Sequence, residues 1–185
     1  GFIQNLIDQA EGRGERIDVI AISDVTNRGE AYFTPFIERC NKLIVVDGKT
    51  PLPIECSYTT PESLGSDRLM AVVGAVTLFP GEDLLVFDFG TALTVEFVER
   101  DGKYIGGNIS PGLKMRFDAL NQYATALPKV EIPDEVVQIG SSTLQAIESG
   151  VVLGLIFEVE RYIEDNIGYT YIFTGGGAKY FEQKV

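Results

Sequence analysis

The sequence contains no histidine and only two cysteines among its 185 residues. Without histidine, catalytic triads that pair it with serine or cysteine are excluded, and a general base must be a carboxylate, a lysine, a tyrosine or a thiol. Cys40 and Cys56 lack the paired spacing of a zinc site and are too few for a disulfide framework. We therefore expect a general base from one of these four groups, and we expect both cysteines to be ordinary thiols.

Basic residues are scarce, since 15 lysines and arginines stand against 27 aspartates and glutamates, giving a formal net charge of −12 at pH 7. Nucleic-acid-binding domains have the opposite balance, with lysine and arginine clustered on one face. Apolar runs of about 18 or more residues are also absent, and residues 1–5 lack the layout of a secretory signal. These absences predict a cytoplasmic protein that binds neither nucleic acid nor a membrane.

Hydrophobic periodicity and turn residues predict an α/β fold. Helical and buried-strand patterns alternate over residues 1–80, and Pro80-Gly81 interrupts them. Beyond this point three successive strands are predicted, with a hairpin turn at Asp101-Gly102, followed by two helices and a strand that ends at Gly175. We accordingly predict two domains, residues 1–80 and residues 81–185.

The order of elements in the second half resembles the ribonuclease-H-like unit, which actin-like ATPases and sugar kinases carry twice. By this resemblance the protein has a duplicated ribonuclease-H-like, or actin-like ATPase, fold with mixed sheets flanked by helices. The first half matches only the rear part of such a unit. Its leading hairpins are therefore expected upstream of Gly1, so that the first domain is incomplete at its N-terminus.

The apolar run Leu85–Val95 is interrupted by one carboxylate, one glycine and two hydroxyl groups. Two strands are predicted here, joined by a turn at Gly90, where the missing Cβ lets backbone N–H groups approach an anion. Thr91 and Thr94 add hydroxyl donors. Asp88 ends a buried strand, where an unpaired carboxylate is costly. We expect a phosphate-binding hairpin with a cation beside Asp88.

A second candidate carboxylate lies in the segment Gly65-Ser66-Asp67-Arg68. Asp67 lies near the start of a predicted helix and precedes a guanidinium, so the helix N–H groups and Arg68 both favour its ionised form. Such a carboxylate is able to accept a proton from a substrate. The alternative is an ordinary first-turn helix residue, with Arg68 as an exposed charge.

Three further segments place glycine, proline or hydroxyl residues at the ends of predicted elements. Gly106–Gly112 either walls a substrate pocket or forms a simple turn between a strand and a helix. Gly140–Thr143 begins the long helix, where capping is the ordinary role of serine and threonine. Thr174–Gly177 follows a buried strand, and its glycines allow the close approach of a nucleotide, although a glycine triplet alone is weakly specific.

Taken in order, these segments resemble the motifs of type III pantothenate kinases, bacterial enzymes similar to actin-like ATPases. The resemblance runs almost from end to end. It is carried by Pro51–Tyr58, Leu64–Arg68, Asp88–Thr94, Gly107–Gly112, Leu127–Val130 and Thr174–Gly176. It implies an ATP-dependent transferase that converts pantothenate to 4'-phosphopantothenate, the first step of coenzyme A biosynthesis.

The same resemblance implies roles for individual residues. Asp67 would be the general base. Pantothenate would be bound by Tyr58, Gly65, Ser66, Asp67, Arg68 and Thr143. Thr143 would reach the substrate from the partner subunit of a homodimer with shared active sites. ATP would be bound by Gly90, Thr91, Gly175 and Gly176. Asp88 would bind a monovalent cation, potassium or ammonium, and magnesium would accompany the ATP.

The chain departs from the family pattern at two points. The family's first phosphate loop, Asp-x-Gly-Asn-Thr, has no match in residues 1–41 and is expected upstream of Gly1. Glu96 stands where the family usually has aspartate, which keeps the charge on a longer side chain. The alternatives are a regulatory or accessory protein on the same fold and another actin-like small-molecule kinase. The presence of both Asp67 and Asp88 favours the enzyme.

Overall fold

A computed structural model describes residues 2–24, 37–47, 49–182 and 184–185. The chain forms two compact units. The first comprises Gly1–Leu52 and Thr59–Met70, and the second comprises Pro53–Tyr58 and Ala71–Val185. The division predicted from the sequence, between residues 80 and 81, instead assigns residues 53–58 and 71–80 to the first domain.

The first unit begins with helix α1 (Phe2–Gly12), which precedes two parallel strands, β1 (Val19–Ser23) and β2 (Lys42–Val46). Ile7 on α1 is buried in a small apolar cluster. The side chains packed against it are Ile17, Ile20, Ile22 and Leu43. Helix α2 (Ser66–Leu78) begins in this unit, after a short 3-10 turn over Pro61–Ser63.

The described part of the second unit contains a five-stranded mixed sheet. Its strands are β3 (Glu55–Cys56), β4 (Leu84–Phe89), β5 (Ala92–Val98), β6 (Lys103–Pro111) and β7 (Thr170–Thr174), arranged in the order β3-β6-β5-β4-β7. Strands β4, β5 and β6 pair antiparallel, whereas β7 lies parallel to β4 and β3 lies parallel to β6. The predicted succession of three strands is confirmed. Its second turn has Gly102 at φ +85°, where glycine carries no steric cost.

Helices α3 (Leu113–Tyr123), α4 (Thr143–Asp165) and the short α5 (Ala178–Phe181) follow in this unit, to which residues 71–78 of α2 also belong. One face of the sheet and the buried face of α4 form the main apolar core. Leu85 and Phe87 of β4 belong to this core, while Leu84 and Val86, which point to the opposite face, are also buried. Burial on both faces explains the continuous apolar sequence of β4.

The α/β class, with a mixed sheet flanked by helices, is confirmed, whereas duplication of a ribonuclease-H-like unit stays a prediction. The long helix predicted from Thr143 begins at that residue and ends at Asp165. Although α4 has 23 residues, no helix within the described ranges is long and apolar enough to cross a membrane.

Candidate functional site

The turn between β4 and β5 is held by backbone hydrogen bonds from two distant segments. The N–H of Gly112, just before α3, donates to the carbonyl oxygen of Thr91 over 3.0 Å. The N–H of Gly177, just before α5, donates to the carbonyl oxygen of Phe89 over 2.8 Å. The predicted phosphate turn, the turn between β6 and α3 and the glycine turn after β7 therefore meet in the second unit.

Several glycines at this junction leave no room for a side chain, and Gly175 and Gly112 are the most crowded of them. Gly175 has φ +87°, and a Cβ there would collide with the Asp88 carboxylate and lie 2.8 Å from the Phe89 nitrogen. A Cβ on Gly112 would lie 2.5 Å from the Thr91 carbonyl oxygen. Gly176 differs, because a Cβ there would meet no atom within 4 Å. Gly175 and Gly112 thus allow the close packing, while Gly176 borders open space.

Asp88 lies next to hydroxyl-bearing residues of both neighbouring strands. Its pairing partners are Thr94 on β5 and Thr174 on β7, and directly opposed residues have side chains on the same face. The Thr94 Oγ1 is buried without a hydrogen-bond partner in the part of the chain that the structure describes. Carboxylate and hydroxyl oxygens suit a hard cation rather than a soft one. Within the described ranges, no group of three or more His, Cys, Asp or Glu side chains is arranged to hold a metal.

A cavity of about 510 Å³ opens beside this turn, within the usual volume of a small-ligand pocket. Gly90, Thr91 and Gly176 line it, together with apolar side chains that include Leu93 and Phe181. Thr91 also borders a larger groove of about 1240 Å³ between α3 and α4. Thr143, at the first position of α4, lies on that same groove. The fold therefore brings Thr91 and Thr143, 52 positions apart in the chain, to one groove.

Ser142 rather than Thr143 caps helix α4. The Ser142 hydroxyl accepts a hydrogen bond of 3.2 Å from the Gln145 N–H, as expected of an N-cap serine. Thr143 is exposed and lies one residue inside the helix. Ser142 therefore performs the capping role expected for this segment. The Thr143 side chain does not cap the helix and lies on the groove.

Lys114 is a candidate residue that the sequence reasoning does not single out. It lines both the cavity and the groove, and its Nζ lies 2.5 Å from Asp118 Oδ2. The hydrogen bond that Lys114 donates to the Asp118 carboxylate raises the pKa of Lys114 above its ordinary value, so the ammonium stays charged at neutral pH. Tyr180 also lines the cavity, and burial raises the pKa of its hydroxyl. This neutral hydroxyl donates a hydrogen bond of 2.7 Å to the Pro133 carbonyl oxygen. In the sequence, Lys114 is marked as a candidate only by its position two residues after Gly112.

The first unit contains the other predicted carboxylate. Asp67 is exposed, and its Oδ1 accepts a hydrogen bond of 2.9 Å from the Arg68 N–H. A Cβ on Gly65 would lie 2.5 Å from the same oxygen, so glycine makes room for this arrangement. Ser66 is buried, with its Oγ 2.9 Å from the Ser23 Oγ. Arg68 is only 6% exposed, so the alternative that treats it as an exposed surface charge is wrong.

Tyr58 follows the short edge strand β3 of the second unit. Its ring stacks on the ring of Tyr104, with centroids 6.3 Å apart and planes inclined by 6°. Gly106 lies beside it with φ +133°, and a Cβ there would be 3.8 Å from Tyr58 Cδ2. Tyr104 is fully buried and donates a hydrogen bond of 2.6 Å to Glu96 Oε2. Glu96, which stands where the family usually has aspartate, is thus buried and hydrogen-bonded to Tyr104.

The predicted site residues are distributed over both units. The junction in the second unit unites Asp88, Gly90, Thr91, Gly175 and Gly176, and Thr143 shares the groove with Thr91. Tyr58 belongs to the same unit and lies two residues after the edge strand β3, whereas residues 65–68 belong to the first unit.

Comparison with known proteins identifies relatives over most of the chain. The type III pantothenate kinase family matches residues 2–165. The chain is 43% identical to a type III pantothenate kinase of Phocaeicola vulgatus over 177 residues, which cover 94% of this chain and 71% of the relative. It is 47% identical to one of Bacteroides fragilis over 131 residues, which cover 69% of this chain and 54% of the relative.

A solved structure from Campylobacter jejuni, described as a Baf family transcriptional activator, has a similar fold. The TM-score is 0.63 over 99% of this chain and 77% of that one, with 18% sequence identity. At this identity the likeness concerns the fold alone. The family match over residues 2–165 and the 43% identity to a relative lead to one conclusion. The chain belongs to the type III pantothenate kinase family.

Proposed function

We propose that this protein transfers a phosphate group from ATP to pantothenate, giving 4'-phosphopantothenate in coenzyme A biosynthesis. Membership of the family supplies the reaction, and the junction around Gly90 and Thr91 is the observation that supports a phosphate site. Gly90 and Gly176, which carry no Cβ, let a phosphate group approach the backbone closely there, and Thr91 adds a hydroxyl donor. Lys114 places a positive charge on the same cavity wall, where it would attract a phosphate oxygen.

We assign the acceptor side of the reaction to Asp67. Phosphoryl transfer depends mainly on positioning and on neutralising charge, so the protein needs one base for the attacking hydroxyl and no histidine. Asp67 is exposed, as a group that touches substrate must be. Its Oδ1 is oriented by the Arg68 N–H, which leaves Oδ2 to accept the proton from the pantothenate hydroxyl. Tyr58, Gly65, Ser66 and Arg68 would bind the rest of that substrate.

Asp88 is the residue that we assign to a monovalent cation, potassium or ammonium. The carboxylate and the buried Thr94 hydroxyl beside it offer oxygen ligands. A cation here, together with the magnesium that accompanies ATP, would neutralise negative charge as the phosphate is transferred. Gly90, Thr91, Gly175 and Gly176 would then bind the ATP phosphates and the adenosine side.

We further propose a cytoplasmic homodimer with the duplicated ribonuclease-H-like fold. Apolar side chains are exposed near the groove that carries Thr143, among them Met115, Tyr123 and Leu144. Exposed apolar side chains near a ligand groove favour a subunit contact. In such a dimer the exposed Thr143 would reach pantothenate in the partner subunit. The cytoplasm is the compartment that supplies ATP.

Pantothenate-dependent release of ADP from the full-length protein tests the reaction. We expect turnover with ATP, magnesium and pantothenate in potassium, and a lower rate when sodium replaces potassium. The matched control omits pantothenate, which separates phosphate transfer from hydrolysis of ATP. Absence of any pantothenate-dependent ADP release would contradict the kinase and favour the accessory-protein alternative.

Asp88→Asn is expected to weaken activation by potassium. The amide keeps the size and one oxygen of the side chain but removes the negative charge that binds the cation. We expect the potassium concentration for half-maximal activity to rise by roughly tenfold or more, about 1.4 kcal/mol in binding free energy. Asp101→Asn, at an exposed carboxylate in the turn between β5 and β6, is the control and should leave the potassium dependence unchanged. An Asp88→Asn protein with the potassium curve of the wild type would remove Asp88 from the cation site.

A further inference from the structure

Glu96 and Tyr104 form a polar pair inside the sheet of the second unit. Both residues are 0% exposed, and the Tyr104 hydroxyl donates to Glu96 Oε2 over 2.6 Å. Their opposed residues are apolar, because Val86 lies across from Glu96 and Val98 lies across from Tyr104. Burying a carboxylate is costly, and an apolar pair of similar volume is often equally or more stable. The stability of the core therefore does not by itself explain why a glutamate and a tyrosine are paired here.

Tyr104 contacts the Tyr58 segment in two ways. The carbonyl oxygen of Tyr104 accepts a hydrogen bond of 2.9 Å from the Ser57 N–H, and its ring stacks on the Tyr58 ring with planes inclined by 6°. Strand β3, which leads to Tyr58, has only two residues, and within the described ranges its pairing partner is β6. The stacked Tyr104 ring is therefore one of the contacts that orient Tyr58 after this short edge strand.

The Glu96 carboxylate accepts a hydrogen bond from the far end of that ring. A tyrosine ring held only by apolar contacts is free to pivot about its Cβ, whereas a hydrogen bond at the hydroxyl fixes its far end. The length of glutamate matters, since aspartate is shorter by one carbon–carbon bond of about 1.5 Å. With an unchanged backbone, an aspartate oxygen would lie beyond hydrogen-bond distance of the Tyr104 hydroxyl.

We propose that Glu96 acts through Tyr104 to position the Tyr58 ring for contact with the acceptor substrate. The inference rests on the proposed function, in which Tyr58 binds pantothenate. Glu96 and Tyr104 are buried, so both are positioning residues that touch no substrate. Their effect should appear in substrate affinity rather than in the chemical step.

Steady-state kinetics of three variants of the full-length protein test the proposal. Glu96→Leu removes the acceptor, and Tyr104→Phe removes the hydroxyl while keeping the stacked ring. We expect both to raise the KM for pantothenate by roughly five- to tenfold, the effect of one lost hydrogen bond, with kcat within about threefold and the KM for ATP unchanged. Glu96→Gln keeps an acceptor oxygen and should restore a KM near that of the wild type.

Val95→Ala is the matched control for a structural effect. Val95 is buried on the same strand as Glu96 but faces the opposite core, so its truncation destabilises the sheet without touching Tyr104. We expect a lower melting temperature and an unchanged KM for pantothenate. The proposal is overturned if Glu96→Leu and Tyr104→Phe leave this KM unchanged, or if KM rises equally in Val95→Ala.

Ring ¹³C NMR of tyrosine-labelled protein gives a readout that needs no catalysis, with the Tyr58 signal assigned by Tyr58→Phe. In Glu96→Leu we expect the Tyr58 ring signal to move towards the position of an exposed tyrosine, while Glu96→Gln leaves it in place. An unmoved Tyr58 signal in Glu96→Leu overturns the positioning role. The two proposals can fail separately. If the wild-type protein does not turn over pantothenate but the Tyr58 signal still shifts in Glu96→Leu, the proposed function is contradicted, whereas the coupling of Glu96 to Tyr58 is supported.

Discussion

Replacing Asp67 by asparagine is expected to lower kcat by about 10²- to 10⁴-fold, the usual contribution of a general base. The amide cannot take the proton from the attacking hydroxyl, but its oxygen can still accept the hydrogen bond from the Arg68 N–H. The loop should therefore keep its conformation. Coupled measurement of ADP release at saturating ATP, magnesium and pantothenate gives kcat, and the KM for ATP should stay within about twofold.

Glu62→Gln is the control for Asp67→Asn, because Glu62 is another exposed carboxylate at the start of a helical turn in the same unit. It should leave kcat unchanged, and neither variant should alter the melting temperature by more than a few degrees, since exposed substitutions change stability little. An Asp67→Asn protein with wild-type kcat and intact pantothenate binding would show that another group accepts the proton.

The surroundings of Asp67 show what a local pattern leaves open. The sequence correctly predicts a helix start at Ser66, because glycine followed by serine and aspartate is typical of helix N-termini. It does not reveal that Arg68 is only 6% exposed, since an arginine in the first turn of a helix is exposed or buried according to what packs against that side. The alternative in which Arg68 is an exposed surface charge is wrong for this reason.

Local order was easier to predict in the second unit than the contacts between its segments. The succession β4, β5 and β6 follows from alternating apolar residues and from the glycine turn at Gly102, both of which act over a few residues. The approach of Gly175 to Asp88 depends on the parallel pairing of β7 with β4, which joins residues more than 80 positions apart. The contact between Tyr104 and Glu96 likewise depends on the register of β5 and β6.

The family resemblance supplied what these local patterns could not. It assigns Gly90, Thr91, Gly175 and Gly176 to ATP and Asp88 to a cation, and the junction in the second unit brings these residues together. It did not indicate Lys114, which lies outside the quoted motifs. A lysine in the first turn of a helix has no distinctive spacing, so only the cavity beside Thr91 marks it as a candidate.

Gly175→Ala is expected to lower the free energy of unfolding by about 2 to 4 kcal/mol and to weaken activation by potassium together with it. An L-residue at φ +87° is strained, and its Cβ would also push against the Asp88 carboxylate and the Phe89 nitrogen. The backbone on either side must move, because β4 is buried on both faces and cannot give way easily. Denaturant unfolding and the potassium dependence of ADP release measure the two effects.

Gly176→Ala is the matched control, one residue further along the same turn. Its φ is not positive, and a Cβ there meets no atom within 4 Å, so alanine should change the free energy of unfolding by less than about 0.5 kcal/mol. Because Gly176 lines the cavity beside Thr91, the added methyl group should instead raise the KM for ATP. If the two variants behaved alike in unfolding and in potassium dependence, the close contact between Gly175 and Asp88 would not be what organises the cation site.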